Sequence, residues 1–296
     1  MIDLAFFALA LAICCLPLRA FGSMHLPLAS LLFALCALLF ALHTAIINVQ
    51  AALLGLFTAL LALWLAAAAT PPLWLRAIGW CMLALLTLSA ALHMWPGIHN
   101  PLLVNAQQLT PDAIPFTLYA NFDKGLAGYC LLLALWPTQA TPTSQQSLLQ
   151  AYWRGFWPAW PLSVALAMAC AIGLGLITFA PKWPDFALQF IFCNLLLTCV
   201  AEEAFFRGLL QRPLFQQFTQ RGWSEQCAAW CAIVMVSLLF GLAHLAGGWA
   251  YALVATVASV GYGWAYQRSG RIEVAIVAHF GLNLLHFGLL TYPMLR

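Results

Sequence analysis

Runs of about twenty apolar residues, each ended by a proline, glycine or charged break, recur along nearly the whole chain, and a run of that length reads as a helix long enough to cross a bilayer. Candidate spans fall at Ile2–Leu18, Leu26–Ile47, Ala51–Thr70, Leu73–Met94, Phe116–Trp136, Phe156–Phe179, Phe186–Leu210, Gln226–Leu245, Trp249–Tyr266 and Ile272–Leu290. Pro71-Pro72, Pro96-Gly97, Pro137, Pro181, Gly247-Gly248 and Gly270 punctuate them, as residues that disfavour helix continuation should. The expected fold is all-α, a polytopic transmembrane helix bundle of about 8–10 spans. Composition agrees: 65% of residues are hydrophobic and 6% charged, against about a quarter charged in soluble domains.

The fifth run is the ambiguous one. Asp123 and Lys124 lie inside it, and only Gly125–Trp136 is cleanly apolar, so it either crosses or forms a short re-entrant segment. If all ten cross, Arg19, Arg76, Arg154, Arg212, Arg221, Arg268 and Arg271 share one side against Lys124, Lys182 and Arg296, the asymmetry of the positive-inside rule. Both termini are then extracytoplasmic. Asp3 is the first charged side chain and no basic residue precedes Arg19, so the first run is expected to be retained as a span. The Thr-, Ser- and Gln-rich stretch Thr138–Gln150 divides an N-terminal helical region of unassigned role, 1–150, from a C-terminal one, 151–296.

Several function classes are excluded early. The net charge of +3 comes from scattered residues, with no basic run to follow a phosphate backbone, so nucleic acid is not an expected partner. The ten cysteines fall mostly within apolar runs and form no CxxC pair; they read as packing residues.

The informative residues are polar ones where lipid should be. Of eight acids, Glu202 and Glu203 alone sit deep in a confident span, and a carboxylate in hydrocarbon costs from roughly 3 to over 10 kcal/mol. Arg207 follows Glu203 by four residues on the same helix face and offers it a structural partner. Glu202 points about 100° away and has no local counter-ion, although Thr198, one turn earlier, could hydrogen-bond it in a purely structural role. Burial raises such an acid toward neutrality, where it becomes a useful general base. His244 closes a later span, and His279 and Asn283 share a face of the last one. His43, His93 and His286 read as histidines bonded to carbonyls, with His286, seven residues after His279, also a supporting candidate. Polar groups on three helices imply convergence in a bundle interior, since each would otherwise face lipid unsatisfied.

The ordered set Glu202-Glu203-x-x-x-Arg207, Phe240-x-x-x-His244 and His279-x-x-x-Asn283 resembles the three signature motifs of the CPBP family of intramembrane proteases, the CAAX prenyl endopeptidase, bacteriocin-processing or Abi type. The resemblance covers about Phe186 to Leu290 and marks 151–296 as a CPBP-like protease core. It implies a peptide hydrolase acting on a membrane-associated or lipid-proximal protein or peptide, in a multi-pass protein of the bacterial inner membrane. By the same resemblance Glu202 activates water, His244 holds or shares the proton, and His279 and Asn283 donate to the oxyanion. Glu203 and Arg207 brace the helix, and Phe240 packs near the site.

Members of that family have been called metalloproteases, and Glu202, His244 and His279 are ligand types that zinc accepts. A glutamic, metal-free mechanism is favoured here, because no His-Glu-x-x-His helix is present and Asn283 is a better oxyanion donor than zinc ligand. No cofactor is favoured, with zinc held by Glu202, His244 and His279 as the open alternative. The alternative function is a proton-coupled membrane transporter using the buried Glu and His groups as a relay, against which stands the absence of recognisable repeats. One tension remains: straight antiparallel helices would put Glu202 and His244 at opposite depths. The sequence therefore predicts a break near Pro213 followed by an amphipathic stretch.

Overall fold

The protein is described here by a computed structural model over residues 4–16, 27–67, 72–135, 137 and 145–296. Asp3, Arg19, Pro71 and the linker through 138–144 fall outside the described residues. Ten helices are found among those described: α1 (Leu4–Cys15), α2 (Leu28–His43), α3 (Val49–Ala66), α4 (Leu73–Ala91), α5 (Phe122–Leu135), α6 (Gln145–Gly173), α7 (Ala187–Gln220), α8 (Glu225–Ala243), α9 (Trp249–Ser269) and α10 (Ile272–Leu289). Six of these are long and apolar enough to cross a membrane: α3, α4, α6 from Leu149, α7, α8 and α10. The shorter α1 and α2 are also apolar. The chain is an all-α, multi-pass membrane protein.

The fifth apolar run resolves differently from a full span. Phe116–Tyr119 is a strand, β2, paired with β1 (Leu102–Gln107) in a two-stranded sheet. α5 then has only 14 residues, about 21 Å at 1.5 Å per residue, which is short of a bilayer. The side assignment of the arginines, which required this run to cross, therefore does not follow. Thirteen of the 14 residues of α5 are buried, as expected of a helix that is apolar all round and enclosed by protein.

Two compact units divide the chain. The first comprises Met1–Leu103, Leu118–Gln139 and Phe192–Phe205. Its centre is α5, which packs against α1, α3, α4 and the 200–203 turn of α7. Close approach is permitted by glycine: a Cβ at Gly128 would lie 2.8 Å from the Ala201 Cα. Ser30 on α2 donates to the Ala12 carbonyl of α1 at 2.7 Å, so the hydroxyl is satisfied within the helix pair.

The second unit comprises Val104–Thr117, Ala140–Ile191 and Phe206–Arg296. Here α6 packs along α9 and onto α10, and α8 packs on α9. A Cβ at Gly261 would lie 2.2 Å from the Ser163 Cβ. Small residues thus let backbones approach, the usual device where lipid removes the hydrophobic drive between helices. Phe240, Ala258, Tyr262, Ala278 and Leu282 fill the core between them.

α7 is the least regular element. Two π-helical stretches, Cys193–Cys199 and Ala204–Gln211, flank the α-helical turn Val200–Glu203. The expected break at Pro213 does not occur. Pro213 falls in the first turn of a further α-helical stretch, Arg212–Gln220, where proline's missing N–H and fixed φ are tolerated. The irregularity expected of proline lies upstream, in the widened i→i+5 turns, which often mark functional sites. No residue of Arg212–Gln220 is buried, and its apolar Leu214, Phe215 and Phe218 alternate with polar neighbours in the amphipathic manner expected. α7 therefore runs well past the apolar limit at Leu210. Glu202 stands 15 residues from its start at Ala187 and 18 from its end at Gln220, near mid-helix and not at an end.

Candidate active site

The seven signature residues divide between the units, Glu202 and Glu203 in the first and Arg207, Phe240, His244, His279 and Asn283 in the second. In the first unit, Glu203 is fully buried while Glu202 is slightly accessible, its side chain 15% exposed. Glu202 is not without a counter-ion. Lys124 Nζ lies 2.7 Å from its Oε1, in charge-assisted hydrogen-bond range. The partner is 78 residues away in sequence, on the short helix α5. Beside it, Asp123 Oδ2 meets His93 Nδ1 at 2.8 Å, and Asp123 Oδ1 accepts from Asn100 Nδ2 at 2.9 Å and from the Lys124 amide at 2.8 Å. The two neighbouring charges of α5 thus serve different partners.

In the second unit the site is built of aromatic and imidazole rings. α8 ends at His244, whose Nδ1 lies 2.7 Å from the Phe240 carbonyl. A carbonyl can only accept, so Nδ1 carries the proton of that bond and Nε2 is left for other partners. The imidazole stacks on Phe240 with centroids 4.5 Å apart. His279, on α10, is buried and stacks on Tyr262 of α9 at 4.5 Å and 12°, with Phe240 edge-on at 5.7 Å. Phe240 is the shared neighbour of both histidines. Asn283 follows His279 by one turn of α10 and is half-buried, so both side chains leave the same helix face.

Arg207 is fully buried. Its Nη2 donates to Ser259 Oγ at 2.6 Å and its Nη1 to Gln211 Oε1 at 3.3 Å, while Gln211 Nε2 donates to the Gly263 carbonyl at 2.9 Å. These contacts clamp the second half of α7 to α9. His286 is drawn elsewhere: its Nε2 donates to the Thr291 carbonyl at 3.1 Å, tying α10 to the turn that follows.

The donor sets fit a resident zinc poorly. Zinc asks for three or four converging N, S or O ligands, and within either unit no three His, Cys, Asp or Glu side chains among the described residues are grouped as a metal set. The carboxylate that zinc would need is already engaged by an ammonium. No step is therefore derived through a metal.

Comparison with known protein families gives a match over part of the chain. Residues 183–285 match the family described as Rce1-like, type II CAAX prenyl endopeptidase Rce1-like. Over those residues, about a third of the chain, it is similar to that family. The match agrees with the motif resemblance and encloses all seven signature residues, while α1–α5 lie outside it. Comparisons with curated proteins and with solved structures gave no match. An Rce1-like segment in a multi-pass helical protein indicates a protease, and with it a peptide or protein substrate at the membrane.

Lys124 is the residue that sequence reasoning missed. In the sequence it stands out as a charge that interrupts the fifth span and as one of the cations set opposite the arginines. An ammonium inside an otherwise apolar run needs a partner as much as a carboxylate does, and Glu202, the acid with no local counter-ion, is the partner that this requirement points to.

Proposed function

We propose that the protein is an intramembrane endopeptidase of the CAAX type, with the bacterial inner membrane as its setting, which hydrolyses a peptide bond of a membrane-associated substrate by glutamate-activated water. The Rce1-like match that encloses Glu202, His244, His279 and Asn283 carries this reading. Glu202 takes a proton from water, and the water oxygen bonds to the scissile carbonyl carbon. The carbonyl becomes an oxyanion, which His279 and Asn283 stabilise as hydrogen-bond donors. Donors placed for the developing charge contribute roughly 3–4 kcal/mol each. His244, protonated at Nδ1 toward Phe240, takes at Nε2 the proton that Glu202 removed from water and passes it to the leaving amine as the C–N bond breaks and the carbonyl re-forms, which leaves Glu202 a carboxylate again. The stacked rings of Phe240 and Tyr262 fix both imidazoles, so little reorganisation is needed when charge develops.

The test compares peptides released from membranes carrying the wild-type chain or Glu202→Gln, read by mass spectrometry, with a prenylated Cys-a-a-X peptide and its unprenylated twin as defined probes. C-terminal fragments released by the wild type and absent from Glu202→Gln are expected. Equal release from both would end the proposal.

A further inference from the structure

The region outside the Rce1-like match holds a side chain aimed at the proposed base. Lys124 lies in the first turn of α5, a position electrostatically wrong for a cation, because helix N-termini favour anions. It is also the one residue of α5 that is not buried, in a helix otherwise enclosed. Packing and helix electrostatics both argue against a lysine there; its contact with Glu202 at 2.7 Å supplies the reason.

The surrounding groups hold α5 in place without drawing on that ammonium. Asn100 Oδ1 accepts from the Phe122 amide at 2.8 Å and Asn100 Nδ2 donates to Asp123 Oδ1, which caps the start of the helix. His93, in the left-handed region at φ 58 just past the end of α4, meets the other oxygen of Asp123. Asp123 is therefore satisfied by His93 and Asn100 and does not compete for Lys124. Further along the helix, Gly125 and Gly128 let α5 lie directly on Leu197 and Ala201, which sets the height of Lys124 against Glu202 one residue beyond. The capped start and the glycine contact fix the helix; Lys124 projects from that frame onto Glu202.

We propose that Lys124 is a positioning residue for the reaction, holding the Glu202 carboxylate ionised and in one orientation, and that the N-terminal helices act as the frame that presents it. The proposal rests on Glu202 being the water-activating group. Loss of the Lys124 contact removes one of the anchors that place the Glu202 carboxylate, and misplacement of a reacting group by about 1 Å can cost about 100-fold in rate.

The experiment uses the full chain in liposomes with the prenylated Cys-a-a-X peptide as probe. Lys124→Met is expected to lower kcat per folded molecule by about 100-fold with KM within about twofold, and Lys124→Arg, which keeps the charge, to recover to within about tenfold of wild type. A merely structural lysine would lower the folded yield and leave kcat per folded molecule unchanged. If Lys124→Met does not fold, Lys124→Gln is judged by the same thresholds. A readout independent of activity is the charge swap: Lys124→Glu should lose folded protein, and Lys124→Glu with Glu202→Lys should regain it. A kcat within about threefold of wild type for the folded neutral variant, or a swap that regains nothing, overturns the proposal. Glu202→Gln is run beside them. If it is active, the proposed function itself has failed; if it is inactive while Lys124→Met is active, only the role of Lys124 has.

Discussion

The two units differ in the groups that surround their candidate site residues. The first pairs its acids with partners on distant segments, Glu202 with Lys124 and Asp123 with His93. The second sets its imidazoles beside aromatic rings, with His244 on Phe240 and His279 on Tyr262, binds the Arg207 guanidinium to Ser259 and Gln211 among its partners, and pairs Arg271 with Glu273 two residues on. A charge in a low-dielectric interior requires a counter-charge, and removing one member of such a pair strands the other. A neutral imidazole needs only one hydrogen bond and a ring to lie on. Proton acceptance and oxyanion binding make matching demands, an ionised acid for the first and oriented donors for the second, so the contrast between the units parallels the proposed division of labour.

The largest expected effect breaks the acid side. Glu202→Gln keeps shape and removes the base, and should lower peptide release by about 10²–10⁴-fold, the range of general-base contributions. The oxyanion side is tested next: His279→Ala and Asn283→Ala should each lower kcat by about 10²–10³-fold, as removal of an oxyanion donor does. If either changes only KM, that residue binds substrate and does not stabilise the oxyanion, and the parallel drawn between the units fails on that side.

Much of this was legible in the sequence because the bilayer reads sequence simply. The runs that became α3, α4, α8 and α10 were located to within a few residues, since nothing but a helix satisfies a backbone in lipid. The three motifs located the polar positions because each is a departure from apolar surroundings. What escaped was non-local or irregular. The Lys124–Glu202 contact spans 78 residues and leaves no periodic trace. α7 continues past its apolar limit through Pro213 because π-helical turns change which amide must find a partner, and hydrophobicity carries no sign of hydrogen-bond register. The β1–β2 pair is too short for an alternation signal.

A stability prediction sharpens the comparison on the side of packing. In the second unit a Cβ at Gly261 would sit 2.2 Å from the Ser163 Cβ, whereas one at Gly288 would meet nothing closer than the Lys182 carbonyl oxygen at 3.9 Å. Gly261→Val should therefore destabilise by about 1–3 kcal/mol, the usual cost of overpacking, with a lower melting temperature. Gly288→Ala should be neutral or slightly stabilising, because alanine is the better helix former by about 1 kcal/mol. Equal melting temperatures for the two would show that α6 and α9 do not hold the close contact.

The smallest effect concerns a charge outside the helices. Lys182, between α6 and α7, donates to the Ala180 and Leu290 carbonyls, and burial pushes its ammonium down from 10.5 to about 8. Between those values the unfolded chain binds the proton and the folded chain does not, so stability rises with pH across that window. The gain is complete above the unfolded value and is lost as pH falls through about 8. Lys182→Gln cannot titrate and should lack this part of the rise. The measurement is the difference in melting temperature between wild type and Lys182→Gln in one detergent, at about pH 7.5 and about pH 10. A larger wild-type rise is expected, whereas an identical change in both proteins would mean that Lys182 keeps its ordinary basicity and that, unlike Lys124 against its carboxylate, it is held by solvent and not by the carbonyls of the fold.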